Sequence, residues 1–508
     1  MNRLKKFMIN GALTALVAIA MRFAGLVLNI FITRKLGEGG MGLLSLVNSV
    51  FGFALTFSTA GVNLAATRLC AEALSRNSGA ELRNALRKCT CYALLFGFLC
   101  MAFLLSFAKL LAVYALSAPE TAACLRALAI SMPLFSLSAV LGGYFSAVRR
   151  AWKSAVTAVL EQGAKIALVV GLFLTVSPKS DAHACLLVIL GTVLSEAVSV
   201  SVGYVLYRLD LRSVKGQGKE RSDVGKRLLS VALPVAVASY IRSGLVTLEH
   251  MLIPGSLVRS GKHPEAALAT YGVVQGMVFP VIFFPTSLLY AFTGLVIPEM
   301  TREKEGKHEK QIKRITEKVL HLTLLFSILC GGLLFVFADC LGMALYKNAS
   351  AGYYIRVLAP LSPVMYLDSA TDALLKGLGE QVYTMKVNVL DALLSLVLVV
   401  ALVPQIGIWG YILVVYLSEI VNLGFSLYRL KKVTGSLPKP LRSISLPLLA
   451  VIFMLPLGHP ALSGFLVLRF LLAAFIYLLF LWLSECIGRE ERELLKKTFF
   501  FGKGKGNV

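Results

Sequence analysis

The chain has 508 residues, of which 57% are hydrophobic and only 15% are charged. A soluble globular chain is nearer half apolar and a quarter charged, so this composition excludes an ordinary soluble protein. Apolar runs of about twenty residues recur from end to end, and each is long enough to cross a hydrocarbon core of ~30 Å. The sequence therefore predicts an all-α polytopic membrane protein.

The net charge of +24 reflects membrane topology rather than nucleic-acid binding. Basic runs at 226–229, 302–314 and 429–432 all fall between predicted spans on one side of the membrane. Lysine and arginine are enriched in cytoplasmic loops, so both termini are predicted to be on the cytoplasmic side of the cell membrane. Arg34 and Lys35, in the first outer loop, are the exception. No nucleic-acid partner is expected.

Fourteen membrane spans are predicted. They lie near residues 9–33, 41–66, 90–113, 121–146, 154–177, 184–207, 228–253, 268–298, 319–344, 353–375, 383–403, 407–428, 444–457 and 461–487. The first follows the basic start MNRLKKFMIN and imitates a signal peptide. Its apolar region is too long for one, so we interpret it as a retained span.

The first span carries a charge near its middle. Arg22 interrupts ALTALVAIAMRFAGLVLNIF (12–31), where a charge costs at least ~2.5 kcal/mol on insertion scales. It follows Lys6 by sixteen residues, which places it near mid-membrane depth at ~1.5 Å per residue. The glycine-rich stretch GEGGMG (37–42) predicts a tight turn directly after this span.

The fifth and sixth spans carry three charges. Glu161 and Lys165 are four residues apart, so mutual neutralisation on one helix face is favoured. Glu196, in the sixth span, has a counterpart in Glu419 of the twelfth span. We interpret that pair as structural, with each member acting within its own lobe.

The seventh span carries both signs of charge. Arg242 follows Arg227 by fifteen residues and therefore reaches a depth similar to that of Arg22. Glu249 follows two turns later on the same helix face. Glu249 either couples transport to protons, sodium or another cation, or serves as an ordinary helix-stabilising acid, and both interpretations are open.

Three spans have unusual patterns. Pro280, Pro285 and Pro298 interrupt the eighth span and Pro234 the seventh, as either transporter-type broken helices or packing kinks. Asp368, Asp372 and Lys376 recur every four residues in the tenth span and form one polar stripe. The stripe is either a cavity lining, with a possible part in ion coupling, or a network inside one lobe.

The sequence also contains an internal repeat with an offset of 220 to 230 residues. The matching segments are LSEAVSVSVGYVLYRL (194–209) with LSEIVNLGFSLYRL (417–430), VLE (159–161) with VLD (389–391), and MG (41–42) with YG (271–272). Because the unit has six spans, both copies enter the membrane from the same side and are parallel repeats. Such halves place a substrate path at their interface and work by alternating access.

This repeat predicts the organisation of the chain. The parts are an N-terminal six-helix lobe (1–209), a cytoplasmic linker (210–227), a C-terminal six-helix lobe (228–430), and an extra helix pair with a basic tail (431–508). Arg22 then corresponds to Arg242. Equivalent depth in both lobes favours a cavity that binds an anionic group, over two structural ion pairs. A guanidinium stays charged and can hold phosphate oxygens with two hydrogen bonds.

Several functions are not indicated. The sequence has no GxxxxGK[ST] and no HExxH, and its longest polar connections are too short for a soluble domain. We therefore expect no enzymatic activity, catalytic residue, cofactor or metal site. The nine cysteines are interpreted as apolar fillers.

Three segments carry a family resemblance. RFAGLVLNIFITRKLGEGGMGLLSL (22–46), TR…AEAL (67–74) and LRALAISMP (125–133) resemble the polysaccharide-transport flippases of the multidrug/oligosaccharidyl-lipid/polysaccharide (MOP) exporter superfamily. That family includes sporulation proteins and relatives of the lipid II flippases. The resemblance covers essentially the whole chain.

The resemblance implies a V-shaped pair of six-helix bundles with a cationic cavity. It implies an undecaprenyl-pyrophosphate-linked glycan, such as a peptidoglycan precursor, moved from the cytoplasmic to the outer leaflet. Arg22 and Arg242 would receive the pyrophosphate, and the extra spans 444–487 would hold the lipid tail. Membrane lipids are implied partners, and protons, sodium or the membrane potential would drive a monomeric transporter.

Two alternatives remain open at the level of sequence. A multidrug antiporter of the same superfamily typically has twelve spans and an acidic ion site in its N-terminal lobe, whereas the first span here carries Arg22 and no acid. A non-transporting scaffold for cell-wall synthesis would not require arginines at matched depth in two lobes.

Overall fold

The computed structural model describes residues 3–59, 61–76, 78–148, 150–211, 223–437, 441–458 and 466–486. Every regular element in these ranges is a helix, and eleven helical segments are long and apolar enough to cross a membrane. The predicted all-α polytopic fold is confirmed. Most of the predicted linker (210–227) and the basic tail beyond residue 486 lie outside the described ranges.

The helices follow one another with short connections. In the first half they are α1 (Arg3–Thr59), α2 (Val62–Ser75), α3 (Gly79–Leu110), α4 (Ala122–Ala147), α5 (Ala151–Thr175), α6 (Asp181–Leu211), α7 (Val224–Arg259), α8 (Pro264–Gly272) and α9 (Phe279–Phe283). In the second half they are α10 (Thr286–Glu305), α11 (Glu309–Val336), α12 (Ala338–Leu341), α13 (Ala349–Leu358), α14 (Ser362–Gly377), α15 (Gln381–Ile406), α16 (Ile408–Thr434), α17 (Leu446–Ile452) and α18 (Leu466–Leu483).

Helix α1 is broken at Gly37, whose backbone angles are φ 69° and ψ −168°. Glycine adopts this conformation without the steric penalty that a side chain would bring. The predicted turn after the first span is confirmed. The predicted spans 9–33 and 41–66 lie on either side of it, although the stretch Val17–Ser75 counts as one of the eleven segments.

The predicted total of fourteen spans is not confirmed. The tenth predicted span is divided into α13 and α14 by a 3₁₀ turn, Ala359–Leu361. The thirteenth corresponds only to a short apolar helix, Leu441–Ile452. The eighth is divided into α8, a π-helical turn (Val273–Val278), α9 and α10. The last break falls at Pro285, which has no backbone N–H to continue a helix, so the interruption predicted there is confirmed. Pro234 and Pro298, in contrast, lie inside the continuous helices α7 and α10.

Two compact units make up the chain. The first contains Met1–Phe292 and Met385–Ser418. At one end of this unit, α2 packs with α3, α4 and the start of α7 around an apolar core that includes Tyr144 and Leu228. Arg227 at the start of α7 donates a hydrogen bond to Glu72 of α2. An ion pair and buried apolar surface together therefore fasten α7 to α2.

At the other end of the first unit, two glycines bring backbones into contact. A Cβ atom on Gly272 would clash with the backbone of Glu38 and Gly42, and a Cβ on Gly42 would clash with the carbonyl of Leu268. The contact therefore requires glycine at both positions. Gly42 and Gly272 are also matching positions of the sequence repeat.

The second compact unit contains Thr293–Thr384 and Glu419–Val508. One core joins α10, α11, α14 and α16 around Met300 and Leu374, and another joins α11, α17 and α18 around Phe337 and Met454. The buried Tyr477 hydroxyl donates to the Leu325 carbonyl at 2.8 Å. The division into lobes at 1–209 and 228–430 stays a prediction.

Candidate functional site: a cavity with an adjoining buried acid

Arg22 lines a cavity of about 550 Å³ inside the first compact unit. Asn29 follows it by two helical turns and lines the same cavity, together with Gln162 of α5 and Gln275 of the π-helical turn. Asn29 Nδ2 donates to the Gly276 carbonyl at 3.2 Å, which fixes α1 against that turn. This wall of the cavity therefore consists of one guanidinium and three amides.

The opposite wall is aromatic. Phe279, Phe283 and Phe284 line it, and Phe279 stacks on Phe283 with ring centroids 5.5 Å apart. Among the described residues that line the cavity, Arg22 carries the one charge. The cavity is therefore suited to a ligand that has both an anionic group and apolar surface.

A smaller cavity of about 230 Å³ adjoins the first, because Gly25, Asn29 and Gln162 line both. Lys165 of α5 lines this smaller cavity. Gln162 and Lys165 are three residues apart and project from the same face of α5. The two cavities are therefore neighbours, with one cation in the wall of each.

Glu249 is buried on α7, with 8% of its surface exposed. Ser395 of α15 donates a hydrogen bond to Glu249 Oε1 at 2.7 Å. Asp391, one turn before Ser395, lies within electrostatic reach of both Glu249 and Arg242. Two carboxylates and one guanidinium are thus gathered between α7 and α15.

Polar side chains lie between the cavity and the acid. Gln275, which lines the Arg22 cavity, donates to the Tyr411 hydroxyl, and Tyr411 lies within electrostatic reach of Glu249. The Tyr271 hydroxyl, also near Glu249, is 3.3 Å from His250 Nδ1. Polar side chains of the π-helical turn and of α16 therefore connect the cavity to the acid.

The structure places the predicted site residues in different surroundings. Arg22 and Arg242 are both exposed side chains, but Arg22 lines the cavity and Arg242 is not part of that wall. In the second compact unit, Asp368 accepts a hydrogen bond from Asn422 at 3.3 Å, and Asp372 pairs with Lys376 at 3.4 Å. Those two contacts are of the kind that a network inside one unit makes. The functional roles of all these residues stay predictions.

Sequence reasoning missed Asp391, Ser395 and Gln275 as parts of the site. The repeat pairs Glu161 with Asp391, and this signal could have identified the acid on α15. Nothing in the local sequence marks Ser395 or Gln275, because their importance comes from contacts between distant helices.

The fold and the site first define a class: an α-helical, multi-pass membrane protein with a polar cavity and buried charges between its spans. Ionisable side chains are rare within membrane spans, and they mark pathways for substrates or ions. A purely structural membrane protein has no need for such a cavity.

The chain belongs to the polysaccharide biosynthesis protein family, whose model matches residues 7–302, more than half of its length. A second family model, MatE, matches residues 252–401. The chain is 27% identical over 418 residues to stage V sporulation protein B of Bacillus subtilis (strain 168), a match that covers 80% of each chain. It is 24% identical over 385 residues to sporulation protein YkvU of the same strain, covering 75% of this chain and 83% of the relative.

Solved structures share the fold. The lipid II flippase MurJ in an inward closed conformation matches with a TM-score of 0.68 over 95% of this chain and 100% of its own, at 13% identity. An inward-facing multidrug resistance MATE family transporter of the MOP superfamily matches with a TM-score of 0.65 over 83% of this chain and 99% of its own, at 14% identity. The chain therefore has the fold of MOP-superfamily transporters.

Proposed function

We propose that this protein is a flippase that moves a lipid-linked, anionic glycan precursor across the cell membrane by alternating access. The substrate class is an undecaprenyl-pyrophosphate-linked glycan, and Arg22 and Arg242 contact the pyrophosphate. The similarity to two sporulation proteins supports a role in building the cell envelope during sporulation.

The cavity that contains Arg22 is the observation on which the proposal depends. Arg22 meets no carboxylate among the described lining residues, so its charge is available to a ligand. The three neighbouring amides can donate to phosphate oxygens, and the aromatic wall can cover an isoprenoid or sugar face. A guanidinium among amide donors is an arrangement that recognises an anion rather than a cation.

Glu249 and Asp391 supply the proposed ion coupling. Two carboxylates that share a buried site repel one another, and a proton or a sodium ion between them relieves this repulsion. Arg242, within reach of Asp391, offsets only part of the negative charge. Binding and release of a cation at this acid would therefore favour different arrangements of α7 and α15, as alternating access requires.

A multidrug antiporter is the second candidate. The MatE match over residues 252–401, which includes Asp391, and the buried Glu249 just before that range favour it. An antiporter of cationic drugs would use Glu249 as the drug contact, and Arg22 would then oppose binding. The two candidates therefore differ in the charge of the transported ligand.

Reconstitution into proteoliposomes distinguishes these candidates. Fluorescent undecaprenyl-pyrophosphate-linked sugars and cationic drugs are supplied to the same preparation, and movement across the bilayer is scored for each. We expect the lipid-linked sugars to move and the drugs to remain. Movement of the drugs alone would replace the flippase proposal with the antiporter.

Arg22→Ala and Arg242→Ala test the role of the arginines in that assay. Because each guanidinium would make charge-assisted hydrogen bonds to phosphate, we expect the translocation rate of each variant to be at least about tenfold lower than that of the wild type. Lys109→Gln, which removes an exposed cation at the end of α3, is the matched control and should transport normally. Normal translocation by both arginine variants would remove them from the site.

A further inference from the structure

Lys165 of α5 is a half-buried cation within a membrane span. It lines the smaller cavity with Asn29 and Gln162, both of which also line the Arg22 cavity. Within the described part of the chain, its ammonium makes no hydrogen bond and no ion pair within 4 Å. Lys165 and Glu161 interact electrostatically, as the expected mutual neutralisation requires, but without a direct ion pair.

Two carboxylates act on Lys165 from a greater distance. Glu161 and Glu196 are both within electrostatic reach of it, and each is held by a hydrogen bond from a serine. Ser199 donates to Glu161 Oε2 at 3.3 Å, and Ser138 bonds to Glu196. These carboxylates favour the charged form of Lys165 against the cost of its burial, and neither of them forms a direct ion pair with its ammonium.

The repeat gives Lys165 a counterpart. Four positions on α1 and α5 match four on α7 and α15, namely Arg22 with Arg242, Asn29 with Glu249, Glu161 with Asp391 and Lys165 with Ser395. We call the first members the Arg22 quartet and the second members the Arg242 quartet. The Arg22 quartet has two cations and one carboxylate, whereas the Arg242 quartet has one cation and two carboxylates.

The matching positions also match in space. Ser395 donates a hydrogen bond to Glu249. Their counterparts, Lys165 and Asn29, line one cavity. The repeat therefore brings each pair of positions to one site: the acid and the hydroxyl form a hydrogen bond, and the amide and the ammonium line one cavity.

We propose that Lys165, with Asn29 and Gln162, forms a second anion subsite beside Arg22, which holds a second anionic group of the ligand. The proposal rests on the flippase function. The anionic group is either the second phosphate of the pyrophosphate or a carboxylate on the glycan. Both present charged oxygens, which an ammonium and two amides can bind.

Ligand binding to the purified full-length protein in detergent tests this subsite. The probes are undecaprenyl phosphate, undecaprenyl pyrophosphate, and the pyrophosphate carrying a neutral or a carboxylated sugar. The variants are Lys165→Gln, Lys165→Arg and Arg22→Gln, with Lys109→Gln as the matched control. Melting temperature and elution volume establish that each variant is folded.

We expect Lys165→Gln to weaken binding at least about tenfold and Lys165→Arg to restore most of it, because one charge-assisted contact is lost and regained. If Lys165→Gln loses affinity for every pyrophosphate probe but not for the monophosphate, the subsite binds the second phosphate. If it loses affinity only for the probe with the carboxylated sugar, the subsite binds the glycan.

Other outcomes would overturn the subsite. If Lys165→Gln binds every probe as the wild type does while Arg22→Gln binds weakly, the subsite is wrong and the flippase proposal stands. If no probe binds the wild-type protein, the proposed substrate class fails, and the subsite fails with it. Equal weakening by Lys165→Gln and Lys165→Arg would indicate a packing role instead.

Discussion

The Arg22 quartet and the Arg242 quartet occupy matching places in the repeat but carry opposite balances of charge. In the first, Arg22 lines one cavity with amide side chains, and Lys165 lines the adjoining cavity. In the second, a guanidinium lies within electrostatic reach of Asp391, and the neighbouring Glu249 is buried and accepts a hydrogen bond from a serine. On the proposed function, the first quartet would bind an anion and the two carboxylates of the second would bind a cation.

On the proposed function, this difference would give separate tasks to the two halves of the repeat. A flippase for an anionic lipid needs a site that attracts the headgroup, and one that is driven by a cation needs another site for that ion. If both sites had the same charge, either the headgroup or the ion would be repelled from both of them. Opposite charges on α1 with α5 and on α7 with α15 would allow both ligands to bind.

Exchanging the quartets should have the largest effect. Asn29→Glu with Lys165→Ser gives the first site the side chains of the second, and the added carboxylate repels phosphate within the cavity. We expect binding of undecaprenyl pyrophosphate to fall about a hundredfold or more, as two favourable polar contacts are lost. The affinity is measured on folded protein in detergent.

The reciprocal exchange is the control for that experiment. Glu249→Asn with Ser395→Lys makes the second site resemble the first and leaves the Arg22 cavity wall unchanged. Pyrophosphate binding should therefore persist. If the affinity for undecaprenyl pyrophosphate fell equally in the two double variants, the distinction between the quartets would be wrong.

Removing one acid should have the next largest effect. Glu249→Gln keeps the shape and the hydrogen bond from Ser395 but removes a charge from the pair with Asp391. We expect translocation in proteoliposomes to lose its dependence on an imposed proton or sodium gradient. Glu161→Gln, at the position that matches Asp391, should keep that dependence. An unchanged gradient dependence in Glu249→Gln would exclude it as the coupling residue.

The glycine contact should give a smaller and purely structural effect. Gly272→Ala places a methyl group against the backbone of Gly42, and overpacking of this kind costs about 1–3 kcal/mol. We expect a lower melting temperature for this variant. Gly52→Ala is the matched control, since a Cβ there meets nothing within 4 Å, and it should leave stability equal or slightly higher. Equal melting temperatures for Gly272→Ala and wild type would contradict the close packing.

The sequence was sufficient to predict features that depend on local chemistry. Composition indicates the membrane fold, the glycines after the first span indicate the break at Gly37, and Pro285 indicates the interrupted eighth span. The number of spans could not be predicted in this way. A short 3₁₀ turn or a π-helical turn divides a span without changing its hydropathy.

The site was only partly predictable. The depth of Arg22 and the position of Glu249 follow from counting residues along helices. The roles of Asp391 and Lys165 depend on which helices pack together, and the local sequence assigned Lys165 to Glu161 on its own helix. Only the repeat, applied position by position, connects these residues to Glu249 and Asn29.

The most direct test of opposite site charges compares pyrophosphate binding by two single variants of the same purified protein. The affinity of Arg22→Ala for undecaprenyl pyrophosphate should be at least about tenfold lower than that of the wild type, because this variant lacks the guanidinium of the anion site. Glu249→Gln should bind it as tightly as the wild type, because its charge belongs to the cation site. Unimpaired binding by Arg22→Ala together with weakened binding by Glu249→Gln would contradict the account.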